Sequence, residues 1–193
     1  MKTTSIMIVG VGGQGSLLAS KVLGRVLTAQ GYDVKVSEVH GMSQRGGSVV
    51  TYVKFGEKVY SPIVDLGEAD YIVSFEKLEA ARNAPFLKKD GKIIVNTQEI
   101  DPMPVIIGKM AYPSEVLDQL TAAGADVDAM DALSLAAEAG SAKAVNIVLL
   151  GRLAAYFDFI PKEAWTDALT ATVPPKFLEM NKKAFDLGLA WAK

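Results

Sequence analysis

The period of the apolar positions changes along the chain, and those changes predict an alternation of strands and helices. Ser5-Ile6-Met7-Ile8-Val9 is a continuous, partly β-branched apolar run, the pattern of a strand covered on both faces. Over residues 16–30 the period lengthens to three and four, with Leu18, Val22 and Val26 flanked by Leu23 and Leu27. That stripe predicts an amphipathic helix, which Gly31 stops. Strand, glycine turn and helix form the first half of a βαβ unit, and the alternation over residues 32–39 predicts its second strand. Residues 48–55 alternate again, and the turn Gly56-Glu57-Lys58 before Val59-Tyr60 predicts a hairpin. A buried strand over 70–75, a helix over 76–87 and a strand over 92–96, introduced by Asp90-Gly91, continue the alternation.

Pro102, Pro104 and Pro113 interrupt the pattern, after which residues 114–123 read as helix and 125–130 as strand. Two further helices are predicted over 131–139 and 144–157, the second apolar nearly all round and therefore buried. Pro161 and Pro174-Pro175 open two more. In the last, Phe177, Met180, Ala184, Leu187 and Trp191 recur at three and four, a stripe that must cover the core or a partner. The expected fold class is α/β: a single Rossmann-like three-layer domain over residues 1–193, with a mostly parallel sheet and a helical C-terminal region.

Composition narrows the function. Half of the residues are hydrophobic and 22% are charged, which excludes a disordered chain. A net charge of −2 supplies no general positive field for nucleic acid or anionic lipid. The absence of cysteine rules out disulfides, a thiolate nucleophile and cysteine-held zinc or iron–sulfur clusters, and one histidine, His40, cannot make a histidine-rich metal site. Residues 1–5 lead straight into a strand-like run too short for a signal segment. The longest dense apolar run, 144–159, is broken by Asn146, Arg152 and Asp158 and falls short of the roughly 20 residues a bilayer span needs. The expectation is a cytoplasmic protein with no membrane and no nucleic-acid partner.

Two glycine-rich segments carry the candidate chemistry. Gly10-Val11-Gly12-Gly13-Gln14-Gly15 satisfies G-x-G-x-x-G between a strand and a helix, where a backbone without Cβ atoms turns tightly and aims amide N–H groups at an anion. The same glycines can instead serve only close helix–strand packing. Glu38, at the end of the second strand, stands about where a ribose-binding acid would. Residues 40–48 bracket Ser43, Gln44 and Arg45 between His40-Gly41-Met42 and Gly46-Gly47-Ser48. Arg45 offers a rigid donor fork for carboxylate or phosphate, while a satisfied, salt-bridged loop is the alternative. Both segments lie at the carboxyl edge of the sheet, where open α/β folds bind ligands. Asp131 reads as a helix cap or a ligand contact. No serine elbow, acid pair or nucleophile–base dyad is evident, so no catalytic residue is predicted.

In order and spacing, the Gly10 to Gly15 turn with Ser16, Ser43-Gln44-Arg45-Gly46-Gly47-Ser48 before a strand, and Asp131-Ala132 before a helix carrying Asn146 resemble the gamma-type subunit of the 2-oxoacid:ferredoxin oxidoreductases, most closely its indolepyruvate branch. The resemblance runs nearly the whole chain. It implies a complex that converts a 2-oxoacid and coenzyme A to acyl-CoA and CO2 while reducing ferredoxin. Thiamine diphosphate and 4Fe-4S clusters are then expected on partner subunits, with ferredoxin met only indirectly. No cofactor would be held firmly by this chain, and coenzyme A would be touched through Gly10, Gly12, Gly13, Gln14, Gly15, Ser43, Gln44, Arg45, Gly46 and Gly47. The competing reading is a stand-alone, NAD-type oxidoreductase or nucleotide-binding module using the Gly10 turn and Glu38.

Overall fold

The computed structural model describes residues 3–39 and 47–192. Its strands are β1 (Thr4–Val11), β2 (Asp33–Glu38), β3 (Ser48–Gly56), β4 (Ala69–Ser74), β5 (Leu87–Asn96) and β6 (Asp126–Met130). They form one sheet in the order β2-β3-β1-β4-β5-β6, in which β1, β4, β5 and β6 run parallel and β3 is antiparallel to both of its neighbours. The helices are α1 (Ser16–Ala29), α2 (Lys77–Asn83), α3 (Met103–Ile106), α4 (Val116–Ala122), α5 (Ala132–Ala139), α6 (Val145–Ala154), α7 (Lys162–Thr170) and α8 (Leu178–Leu189).

The continuous apolar run of β1 explains the three layers, because successive side chains of a strand point to opposite faces. Ile6 and Ile8 enter one core with α1, α5, α6, α7 and α8, while Met7 and Val9 enter a second with α2 and α4. The expected single α/β domain with a mostly parallel sheet is what the chain forms. As expected, α6 is buried on nearly every side.

Three local expectations need correction. β2 runs parallel to β1 in the same sheet, as a βαβ unit requires, with β3 inserted between them. Consequently no hairpin partner forms at Val59-Tyr60: both edges of β3 are already filled, and Val59 instead donates its N–H to Asp33 Oδ2 at 2.9 Å. The strand expected from residue 92 begins at Leu87 and passes through an irregularity where Asp90 adopts φ 64°. In α8 the buried face is Asn181, Ala184, Phe185 and Gly188, rotated from the expected stripe; of that stripe Met180, Leu187 and Trp191 pack at the core margin and Phe177 is exposed.

Candidate site at the glycine edge

The glycine turn is built by close approach. A Cβ on Gly10 would stand 2.8 Å from both Gln14 Oε1 and the Phe75 ring, so β1 passes close to both only without a side chain there. Gly13 and Gly15 both have positive φ, and Gly15 caps α1 without any side-chain hydrogen bond, while the Leu18 N–H donates back to the Gly15 carbonyl at 3.1 Å. Two buried-side clamps fix the turn. Gln14 accepts from the Val11 N–H at 2.7 Å and donates to the Phe75 carbonyl at 3.2 Å, and Asn146 of α6 donates to the Gly15 carbonyl at 3.1 Å.

The two glycine segments meet, since the Gly12 N–H donates to the Gly47 carbonyl at 2.9 Å. The expectation that both share one sheet edge therefore holds for the part that is described. His40, Ser43, Gln44, Arg45 and Gly46 lie outside the described residues. On one side of this joint is a cleft of about 320 Å³, walled by Gly12, Gly13, Gly15 and Ser16 on one flank and by Glu38 and Thr51 on the other. Glu38 accepts from the Ser20 hydroxyl of α1 at 3.1 Å.

On the other side lies a smaller cleft of about 180 Å³ with two buried acids that the sequence pattern did not single out. Glu79 accepts from the Ser48 hydroxyl and from Arg82, and Glu76 accepts from the Tyr112 hydroxyl at 2.8 Å and caps α2 through the Glu79 N–H. Burial, and then the bond to Glu76, hold the Tyr112 phenol above its ordinary pKa. The Ser48–Glu79 contact ties the first residue of β3 to α2. No pattern in the sequence marks it, since Ser48 and Glu79 stand 31 residues apart.

Asp131 is a cap: its carboxylate accepts from the Ser134 hydroxyl and from the Ser134 N–H at 2.9 Å, and these bonds hold its pKa below the usual carboxylate value. Among the described residues no group of three or more histidine, aspartate or glutamate side chains is placed to hold a metal ion, and no helix is long and apolar enough to cross a membrane.

A model of the family described as Pyruvate ferredoxin/flavodoxin oxidoreductase matches residues 5–191. Indolepyruvate oxidoreductase subunit IorB of Thermococcus kodakarensis is 44% identical over 199 residues, covering 100% of this chain and 98% of its own. Among solved structures, the keto/oxoacid ferredoxin oxidoreductase gamma subunit of Geobacter sulfurreducens superposes with a TM-score of 0.71 at 24% identity, over 96% of this chain and 95% of that one. The 2-oxoglutarate:ferredoxin oxidoreductase of Magnetococcus marinus, solved with 2-oxoglutarate, coenzyme A and succinyl-CoA bound, superposes with a TM-score of 0.74 at 20% identity; 98% of this chain corresponds to 31% of that longer one. At these identities the two structures share the fold.

Proposed function

From the premise that this chain belongs to the pyruvate ferredoxin/flavodoxin oxidoreductase family, we propose that it is the non-catalytic, gamma-type subunit of a cytoplasmic 2-oxoacid:ferredoxin oxidoreductase of the indolepyruvate type. The observation that carries this reading is the end-to-end match, at 44% identity, to a protein named as a subunit of indolepyruvate oxidoreductase. The stand-alone nicotinamide-dependent reading finds no support in the comparisons.

Thiamine diphosphate and iron–sulfur clusters, carried by the partner subunit, supply decarboxylation and electron transfer to ferredoxin; a chain with no cysteine offers no thiolates for a cluster. The role left to this chain is to close the shared site and contact coenzyme A. Backbone at Gly13 and Gly15 and the uncapped start of α1 suit a phosphate that approaches closely, while Gly12 gives its N–H to Gly47 and lines the same cleft. Gly10 and Gln14 shape that turn, Gly47 braces it, and Ser43, Gln44, Arg45 and Gly46 belong to the same proposed contact by their sequence.

Anaerobic purification of the tagged chain from its native cells should bring down a larger subunit that contains thiamine diphosphate and iron. The pair should reduce a viologen dye only when both a 2-oxoacid and coenzyme A are present, with aryl pyruvates preferred. Recovery of the chain alone, inert to oxoacids and binding NAD, would overturn the reading.

A further inference from the structure

Part of the apolar stripe of the last helix stays uncovered, and it borders a recess. Leu18 of α1, Val173, Phe177 and Met180 wall this recess, which has a volume of about 180 Å³. Asn146 and Asn181, 3% and 5% exposed, also line it, but each gives its amide nitrogen to a main-chain carbonyl of this chain, those of Gly15 and Phe177 respectively. What the recess presents is therefore apolar. Its volume lies below the roughly 300 Å³ at which small-molecule sites begin, and it suits one large side chain better than a free ligand. The rim is basic, although the chain as a whole carries a net charge of −2. Lys143 lines the recess, and Lys176 Nζ stands 4.8 Å from the centre of the Phe177 ring, which is itself 44% exposed. Neither lysine has a carboxylate partner among the described residues, whereas Lys182 is paired with Glu179 at 3.0 Å and Lys183 donates to the Glu138 carbonyl. Large side chains anchored in pockets supply most of the energy of an interface, and complementary charges around them set its association rate.

We propose that this recess receives an apolar side chain, aromatic or leucine, from an acidic segment of the thiamine- and cluster-bearing partner subunit. The proposal rests on the reading of the chain as a subunit of that complex. The unpaired ammonium groups of Lys143 and Lys176 meet the carboxylates that flank the inserted side chain. Because Asn146 both lines the recess and holds the Gly15 carbonyl, a partner seated there abuts the glycine edge.

The test is reassembly of the full chain with the purified partner subunit, followed by biolayer interferometry at low and high salt. Phe177→Ala removes an exposed ring but keeps the main-chain carbonyl that Asn181 holds, and it should weaken assembly about 30-fold. Lys143→Glu combined with Lys176→Glu should slow association about 10-fold at low salt and flatten its salt dependence. Tyr60→Ala truncates a ring that is 89% exposed beyond the Gly56 end of β3, and it should assemble as the wild type does. All of these changes are at exposed positions, so each variant should melt with the wild type. Normal assembly of every variant would overturn the proposal and leave the subunit reading intact, whereas a wild-type chain that finds no such partner would overturn that reading. Weakening by Phe177→Ala without any effect of the lysine changes would mean that the seated segment is not acidic, and loss of self-association alone would put a second copy of this chain in the recess. Either result contradicts the proposal.

Discussion

Gly188→Ala is expected to destabilise the chain by about 3 kcal/mol or more, at or beyond the upper end of what overpacking usually costs. A Cβ there would stand 1.9 Å from the Val148 carbonyl oxygen, and one on Gly151 would stand 2.1 Å from the Phe185 carbonyl oxygen. The atoms in the way are backbone, so no rotamer change relieves the clash, and α6 and α8 must separate along the contact that seats the C-terminal helix on the core. In a domain of this size the loss corresponds to a fall in Tm of roughly 6–12 °C. Gly24→Ala is the control. Its Cβ would meet only Val36 Cγ2 at 3.7 Å, and alanine is the better helix former, so that variant should melt no lower than the wild type. Thermal melts that rank the two variants equally would contradict the packing account.

Arg152→Met is expected to cost about 3–5 kcal/mol, because it leaves a buried carboxylate without its cation. Asp128 is 1% exposed, and Arg152 joins it to two other groups, donating to the Tyr156 hydroxyl at 3.0 Å and to the Trp191 carbonyl at 2.7 Å. Tyr156 also donates to Asp128 at 2.6 Å, and burial together with that carboxylate pushes its phenol up to about 12. One Asp128 oxygen has no hydrogen-bond partner among the described residues, so without Arg152 the carboxylate keeps only the bond from the Tyr156 hydroxyl. The double change Asp128→Asn with Arg152→Met should recover part of the loss, since the stranded charge is then gone. Urea denaturation in which the double variant is no more stable than Arg152→Met alone would contradict this.

Neither of these contacts was legible in the sequence, for a physical reason. Periodicity reports which face of an element is apolar, and by that signal β1, α1, β4, β6 and α6 were all found close to where they lie. It does not report which element comes next to which. The insertion of β3 between β1 and β2 was invisible because an alternating strand looks the same whether its neighbours run parallel or antiparallel. Nothing in the sequence marks Gly151 and Gly188 as the points where the backbones of α6 and α8 meet, because a helical glycine reads the same with or without a helix packed against it. At the glycine edge the turn itself was readable, because only glycine tolerates the φ values of Gly13 and Gly15. The use of Gln14 was not: an amide in a glycine motif suggests a ligand contact, whereas its oxygen and nitrogen bond to Val11 and Phe75 of this chain. The part of the site carried by Ser43, Gln44, Arg45 and Gly46 stands on sequence alone.

The proposed role places the chain's service to its complex at the edge where Gly12 meets Gly47. Amide hydrogen exchange of the assembled complex, with and without coenzyme A, tests it most directly. Coenzyme A is expected to slow exchange over residues 10–17 and over the second glycine segment up to Gly47. Exchange unchanged across both segments while the complex still binds coenzyme A would contradict it.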